Sequence, residues 1–434
     1  LLDGEPAAIC DALADPAALA ELWDAIRGAE TRPGAAGEIR CVNLRMPPAE
    51  DDGGAIRLLG REQSNTSAVR GDRELLKCLR RVAPGVSPEL ELTDALARAG
   101  FTRVAAPLGA AEYRPAGGGE PTLLAVVQPF LSNGTEGWSL ALTSLRALYA
   151  DMEEMVLPGT PVGDVTLRVE RGGGEAVAVR PVAEPAPAVV APDPGEGAAT
   201  FAPEAARLGR VTAEMHLALL RVDGGAEVDA RPVTHDDLAG WSRDMTAELD
   251  DLLANASAAV DPLRARRPEL VAAFEAVRDV AGGTAIRVHG DYHLGQALRT
   301  DDGWTIIDFE GEPNLPLPER RRRSTALRDV AGMLRSFDYA AAAALAERLS
   351  PADPEWTRLE PLGDAWSAAN RAAFWSAYTE TVEGSPLLPD EAATGVLLRA
   401  FELRKAVYET GYELGHRPDW IGIPMRFLLG RVAG

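Results

Sequence analysis

The hydrophobic pattern of the chain changes near residue 130, and this change limits the fold more than any other feature. Before it, apolar and polar residues mostly alternate in short runs, which is typical of half-buried strands. After it, apolar residues recur at helical spacing. Strands are predicted over residues 39–46, 55–59, 66–69, 74–78, 104–113 and 122–130. The sequence therefore predicts an α+β protein whose first part is rich in strands and whose second part is mostly helical.

Helices are predicted in both parts, over residues 5–28, 88–98, 138–154, 207–220, 235–253 and 268–280, and helical spacing dominates from 326 to 416. Residues 171–203 differ from all of these, because Pro, Ala and Gly make up most of their composition. Such a segment offers little apolar surface to bury. We therefore predict a mobile insert that the chemistry does not need.

Charge and composition limit the partners of the protein. Lys and Arg total 44 and Asp and Glu total 66, so the net charge is −22. Nucleic acids and anionic membranes attract positive surfaces, so we expect neither as a partner. The three cysteines fit no disulfide framework, and no apolar stretch approaches the ~20 residues that span a bilayer. With no signal peptide visible, we expect a monomeric, cytoplasmic protein that acts on small molecules.

The densest chemistry lies in residues 288–296, VHGDYHLGQ, and residues 306–310, IIDFE. Kinases need a carboxylate that accepts a hydroxyl proton, an amide ligand to magnesium, and a second acid on the metal. Asp291, Gln296 and Asp308 match these roles in this order. One such Asp alone often only caps a loop, but the ordered set predicts phosphoryl transfer. His293 either reaches the acceptor or is a structural histidine, and the sequence leaves both open.

A nucleotide needs phosphate contacts and a cationic anchor upstream of this motif. Lys77 lies alone in the apolar stretch LLKCL, so it is the candidate anchor. Glu91 on the following predicted helix is its candidate partner, and Glu89 is the competing choice. Small polar residues ten or more positions before Lys77 offer hydroxyl, amide and backbone N–H groups to phosphates. These are Ser64, Asn65, Thr66 and Ser67.

Residues 126–130, VVQPF, are predicted to form a hinge that binds adenine. Pro129 lacks an N–H group and is expected to end regular strand pairing. The backbone groups of Gln128 and Phe130 would then be free for the base.

The last long helix carries a pair of acids that share one face. Glu409 and Glu413 are four residues apart, so their carboxylates lie together. A solvated acidic face is one interpretation. The other is a sugar pocket in which Glu409, Tyr412 and Glu413 contact the acceptor and Trp420 stacks on its ring.

These motifs closely resemble the actinobacterial maltokinases, which belong to the aminoglycoside-phosphotransferase-like, or eukaryotic-like, kinase fold. The similarity runs from about residue 60 to the end and is carried by residues 62–67, 289–296, 308–313, 327–339 and 417–421. It implies a bilobal fold with a cap subdomain (1–60), a small β-rich nucleotide-binding lobe (61–131) and a larger helical lobe (132–434). It also implies that Asp291 is the base and that Lys77 contacts ATP. Magnesium would be held by Gln296 and Asp308.

The acceptor is less constrained than the reaction. A Gln at position 296 resembles the maltokinases, whereas related phosphotransferases carry Asn there. However, the opening segment that maltokinases usually share is absent from residues 1–60. Related actinobacterial kinases that phosphorylate glucosamine fit this start better. We therefore expect an ATP- and magnesium-dependent sugar kinase that makes glucosamine 6-phosphate. The alternatives are a maltokinase, an aminoglycoside-type phosphotransferase and a pseudokinase scaffold.

Overall fold

The computed structural model describes residues 11–48, 54–59, 65–155, 201–222, 229–350 and 352–432. The chain divides into two compact units. The first unit comprises Leu1–Gly134 and Thr300–Arg322, and the second comprises Thr135–Arg299 and Arg323–Gly434. The mixture of a strand-rich unit and a helix-rich unit confirms the α+β class. In the described ranges, no helix is long and apolar enough to cross a membrane.

The strands are short and are numbered in chain order. They are β1 (Thr31–Pro33), β2 (Gly37–Asn43), β3 (Ile56–Leu58), β4 (Asn65–Arg70), β5 (Glu74–Leu79), β6 (Gly109–Pro115), β7 (Thr122–Pro129), β8 (Thr135–Glu136), β9 (Arg231–Pro232), β10 (Thr284–Ile286), β11 (Ala297–Thr300), β12 (Gly303–Ile306) and β13 (Ser324–Thr325).

The helices follow the same convention. They are α1 (Pro16–Arg27), α2 (Pro88–Arg98), α3 (Gly137–Met155), α4 (Ala202–Leu220), α5 (His235–Asn255), α6 (Asp261–Glu275), α7 (Leu317–Arg320), α8 (Leu327–Ala346), α9 (Pro354–Val382), α10 (Glu391–His416) and α11 (Gly422–Val432).

The first unit is built on an antiparallel sheet with the strand order β1-β2-β6-β7-β5-β4-β3. The predicted hairpin between β4 and β5 is confirmed, and its turn residues Gly71 and Asp72 have positive φ angles of 57° and 51°. Positive φ at both central residues is the geometry of a tight hairpin turn. One face of the sheet packs against α1 through Trp23 and Ile26.

The predicted cap subdomain does not form a separate body in the described residues. β1 and β2 extend the sheet beside β6, β3 extends it beside β4, and α1 shares the core of the sheet. The predicted boundary at residue 131 stays a prediction, and the first segment of the first unit runs to Gly134. That unit also includes Thr300–Arg322, a segment that is distant from Gly134 in the sequence.

The second unit is a helical assembly in which α8 is almost entirely buried. α4 packs along α9, while α5, α6, α8, α10 and α11 share one apolar core. A residue from each of these five helices shows the extent of that core: Leu249, Phe274, Leu327, Phe401 and Leu428. At one edge, β10 pairs with β13 and β9. The chain leaves β10 directly into the loop that carries Asp291.

The predicted insert falls almost wholly outside the described residues, which resume at Phe201. Its last three residues belong to the helical unit instead. Phe201 is buried and packs its ring near Phe337 and Trp366, and Ala202 begins α4. The helix predicted over 268–280 is also displaced, because α6 begins at Asp261 and ends at Glu275. Pro262 at the first turn suits a helix start, which the sequence analysis missed.

Candidate active site

The loop after β10 is attached to the first turn of α8 by a buried carboxylate. Asp329 accepts the backbone N–H groups of His289 and Gly290 at 2.8 and 2.9 Å. His216 on α4 lies 3.1 Å from the same carboxylate. Burial alone would raise the pKa of Asp329, but the His216 hydrogen bond and neighbouring charge lower it below its usual value. Asp329 therefore fixes the loop just before Asp291, a role that the sequence analysis did not assign.

The following residues of the loop are fixed in the same way. The Tyr292 hydroxyl lies 2.8 Å from that of Thr212, and the Leu294 N–H donates to Ser336 on α8. The His293 ring accepts the Gly295 N–H through Nδ1 at 3.0 Å. His293 thus caps the short 3₁₀ helix Leu294–Gln296, and its contact with the acceptor stays a prediction. Gln296 ends this helix, so its side chain is carried by a fixed backbone.

Asp291 is mostly buried and is paired with a lysine from α10. The Lys405 Nζ atom lies 2.8 Å from Asp291 Oδ1. Burial raises the pKa of Asp291, but Lys405 first, and then His293, lower it to about 2. The carboxylate is therefore ionised at neutral pH and able to accept a hydrogen bond from a hydroxyl. Sequence reasoning missed Lys405, although a signal existed: Lys77 and Lys405 are the only two lysines in the chain.

Lys77 lies among three carboxylates of the first unit. Its Nζ atom is 2.6 Å from Glu310, 3.2 Å from Glu89 and 3.4 Å from Asp308. Burial lowers the pKa of the Lys77 ammonium, but the three acids outweigh this and raise it above its usual range. Asp308 has a φ of 65°, which is rare for a non-glycine residue and is typical of functional sites. The structure thus unites Lys77 with Asp308, as the kinase motif requires.

The predicted pairing of Lys77 with Glu91 is wrong in the structure. Glu89 contacts Lys77, while Glu91 binds Arg321 at 2.7 and 3.2 Å. The two acids are two residues apart on α2, which turns their side chains to opposite sides of the helix. Burial raises the pKa of Glu89, and Lys77 opposes this shift.

The three acids around Lys77 could also hold a metal ion. Glu89, Asp308 and Glu310 each offer one carboxylate oxygen, and these oxygens lie within 4.8 Å of one another. Carboxylate oxygens are the ligands that magnesium prefers, so this donor set fits the predicted metal.

The predicted phosphate loop is partly a strand. Asn65, Thr66 and Ser67 lie in β4 and pair with Leu79, Cys78 and Lys77, whereas Ser64 lies outside the described residues. Because paired residues point to the same face, Asn65 and Ser67 share the face of Lys77. Thr66 points to the other face, where it accepts a hydrogen bond from Arg80 at 2.7 Å. Thr66 is therefore corrected from a phosphate contact to a sheet residue.

The predicted adenine hinge also differs from the structure. β7 continues through Pro129, and Gln128 and Pro129 pair with Leu75 and Glu74 of β5. Phe130 N donates to the Arg73 carbonyl at 2.8 Å, so this N–H is not free for a base. Pro129 does not interrupt the pairing, because it lies at the last position of the strand.

The acids of α10 are paired with cations. Glu409 binds Arg335 of α8 at 2.6 Å, and Glu413 binds Arg417 at 2.7 Å. Glu413 also accepts the hydroxyl of Tyr339. Burial raises the pKa of Glu409, although Arg335 lowers it. The shared acidic face is confirmed, and its repulsion is relieved by a separate guanidinium for each acid.

The aromatic candidates for the acceptor differ in exposure. Trp420 lies 6.2 Å from the Tyr339 ring, and the Arg417 guanidinium lies 4.6 Å from the Trp420 ring. Trp420 also lines a cavity of about 730 Å³ that is bounded by Arg335 and Asp338. Tyr412 is exposed and stacks on His416 at 4.3 Å, which turns it toward solvent. Trp420 thus borders this cavity, whereas Tyr412 does not, and contact of either ring with a sugar stays a prediction.

Comparison with known proteins relates the chain to phosphotransferases and, more narrowly, to glucosamine kinases. Residues 174–362 match the family described as phosphotransferase enzymes. The chain is 30% identical to a glucosamine kinase from Streptacidiphilus jiangxiensis, over 84% of this chain and 70% of that protein. It is 28% identical to a glucosamine kinase from Mycolicibacterium smegmatis, over 84% of this chain and 76% of that protein.

A solved structure gives the same answer for the fold. A glucosamine kinase in complex with glucosamine, ADP and inorganic phosphate is 27% identical to the chain, with a TM-score of 0.66. The match covers 95% of this chain and 82% of that chain.

Proposed function

The chain belongs to the phosphotransferase enzyme family that includes the glucosamine kinases, and we propose that it transfers the γ-phosphoryl group of ATP to the 6-hydroxyl of glucosamine. The observation that carries the proposal is the match along nearly the whole chain to a kinase solved with glucosamine and ADP. The ionised Asp291 on a fixed loop supports it from the chain's own chemistry. A monomeric state and a cytoplasmic location stay predictions.

The proposed role of Asp291 is that of general base. The oxygen of the acceptor hydroxyl attacks the γ-phosphorus, and its proton passes to the Asp291 carboxylate. The new oxygen–phosphorus bond forms as the bond from the γ-phosphorus to the bridging oxygen breaks, and ADP leaves with that electron pair. The fixed loop holds the carboxylate where the hydroxyl can approach it, which lowers the entropic cost of the reaction.

The proposed roles of Lys77 and its acids concern ATP and magnesium. Lys77 is the candidate contact to the phosphates, and Asn65 and Ser67 share its face of the sheet. Asp308 is the candidate magnesium ligand, with Glu89 and Glu310 as further oxygen donors. Gln296 as a ligand stays a prediction. Magnesium would supply positive charge that stabilises the negative charge of the transferred phosphoryl group.

The proposed contact for the amine of glucosamine is a carboxylate of α10, Glu409 or Glu413. Each already binds a guanidinium, so an ammonium would add to an existing ion pair. A charge-assisted hydrogen bond is roughly twice as strong as a neutral one. Glucose has a hydroxyl in place of this ammonium, and losing one charged hydrogen bond costs about 1.5–3 kcal/mol.

A panel of acceptors with ATP tests the function. We expect glucosamine to have the highest kcat/KM and glucose to be roughly tenfold to hundredfold poorer. The preference for the amine should shrink in Glu409→Gln or in Glu413→Gln, depending on which acid binds it. Maltose and kanamycin are the other acceptors of the panel. Faster turnover of maltose would identify a maltokinase, and faster turnover of kanamycin an antibiotic phosphotransferase.

A further inference from the structure

We propose that Lys405 is the positioning residue of Asp291: its ammonium binds one carboxylate oxygen, fixes the carboxylate and leaves the second oxygen for the acceptor hydroxyl. The inference rests on the proposed function, because that proposal makes Asp291 the base. It adds a residue of α10 to a site that the sequence motif places in the loop after β10.

The contact itself is short and sheltered. Lys405 Nζ lies 2.8 Å from Asp291 Oδ1, and the two side chains are 15% and 19% exposed. Within the described residues, no hydrogen bond reaches Asp291 Oδ2. A sheltered ion pair with one bonded oxygen restrains the carboxylate and still leaves an acceptor lone pair for a hydroxyl.

The choice of lysine at this position is unusual for the chain. Of its 44 basic residues, 42 are arginines, and the two lysines are Lys77 and Lys405. Both contact carboxylates that the kinase motif assigns to chemistry. In the described part of the chain, the other cations that form ion pairs are arginines and His216, so a lysine ammonium is found only beside these two acidic sites.

The arginine ion pairs of the chain differ in geometry from the Lys405–Asp291 pair. Arg404, the residue before Lys405, binds both oxygens of Glu248, at 2.7 and 2.9 Å. Arg267 and Arg231 likewise bind both oxygens of Asp250 and Asp237. A planar guanidinium favours this fork geometry, whereas an ammonium is a compact point charge. At position 405, a fork would occupy the oxygen that the acceptor hydroxyl requires.

The ionisation of Asp291 supports the same role. Residues 288–298 contain no lysine or arginine, and the groups of this loop that lower the pKa of Asp291 are His293 and His289. Burial raises the pKa of Asp291, and Lys405 is the largest influence that lowers it. Without Lys405, the pKa of Asp291 would rise, and the carboxylate would be lost to protonation over a wider acidic range of pH.

Three variants separate positioning from packing. Lys405→Met removes the charge, so the acidic limb of the pH profile of kcat/KM should move upward by about one pH unit or more. Lys405→Arg keeps the positive charge, so the acidic limb of the pH profile should stay in place. Its planar guanidinium should bind both oxygens of Asp291 and thereby raise the KM for the acceptor roughly tenfold. Arg404→Met is the matched control on the same helix. It should lower Tm through loss of the Glu248 pair while leaving the limb and the acceptor KM unchanged.

A spectroscopic readout does not depend on turnover. Labelling lysine side chains with ¹³C and ¹⁵N yields signals from two residues, which Lys405→Arg assigns. We expect Asp291→Asn to shift the Lys405 signal and to leave the Lys77 signal in place. Added glucosamine should also shift the Lys405 signal.

The results distinguish failure of the inference from failure of the function. An unshifted Lys405 signal in Asp291→Asn, or a wild-type acidic limb in Lys405→Met, would overturn the positioning role. If Lys405→Met does not fold, the labelled Asp291→Asn protein and the acceptor KM of Lys405→Arg decide the question. A wild-type enzyme that phosphorylates no amino sugar would instead refute the proposed function, and the labelling result would still be readable.

Discussion

Lys77 of the first unit and Asp291 of the second unit differ in the number of opposite charges that surround them. Lys77 is one ammonium among three carboxylates, so two negative charges are in excess when all four groups are ionised. Asp291 is one carboxylate with one ammonium 2.8 Å away. The first cluster can gain a further cation favourably, whereas the second is already balanced.

This difference teaches how each site should respond to change. Removing an acid from an anionic cluster weakens its attraction for a cation, and the loss depends on which acid is taken. Removing either partner of a sheltered pair leaves the other charge without its nearest counter-charge. Substitutions in the two units therefore test different physical consequences.

The largest effect is expected for Asp308→Ala, which removes the proposed magnesium ligand. We expect no measurable phosphoryl transfer at any magnesium concentration in a coupled assay of ADP release. Gln296→Ala should only raise the magnesium requirement. Asp301→Ala removes an exposed carboxylate from a nearby turn and serves as the control. Full activity of Asp308→Ala would show that these three acids do not form the magnesium site.

The next effect is expected for Asp291→Asn, which breaks the balanced pair. General-base catalysis typically contributes ~10²–10⁴-fold, so kcat should fall by about this factor. ATP binding, measured by calorimetry, should persist, because the proposed partner of Asp291 is the acceptor hydroxyl and not the nucleotide. If the variant keeps near-full turnover, Asp291 is not the base.

The smallest effect distinguishes two acids of α2. Glu89→Gln removes a charged partner of Lys77, which is worth about 1.5–3 kcal/mol and should lower kcat/KM for ATP roughly tenfold or more. Glu91→Gln weakens the pair with Arg321, and Glu91 does not contact Lys77. Its kinetics should stay near wild type. Equal losses in the two variants would contradict the pairing seen in the structure.

The fold was predictable where the pattern is local. Alternation marked β4 and β5, and Gly-Asp marked the turn between them. The place of β1 to β3 in the sheet was not predictable in this way, because strand pairing joins residues far apart in the sequence. The predicted cap therefore merged with the sheet of the first unit. Phe201 was misplaced for a similar reason, since its burial depends on Phe337 and Trp366.

The candidate site likewise has features that local sequence predicts and features that depend on tertiary packing. The order of Asp291, Gln296 and Asp308 is a property of the sequence. The first two lie in the loop and the 3₁₀ helix after β10, and Asp308 follows β12. Helical spacing likewise placed Glu409 and Glu413 on one face. It did not decide between Glu89 and Glu91, since that choice depends on which side of α2 faces β5.

The sequence by itself thus predicted which groups do the chemistry and assigned each of them to a kinase motif. The tertiary structure decided their counter-charges: Glu89 for Lys77, Arg335 for Glu409 and Lys405 for Asp291. Asp291 and Lys405 are 114 residues apart, and only the packing of α10 against the rest of its unit brings them together. Local patterns record the period of a helix or strand. They do not record which neighbour its face will meet, and the Coulomb energy of a buried charge depends on that neighbour.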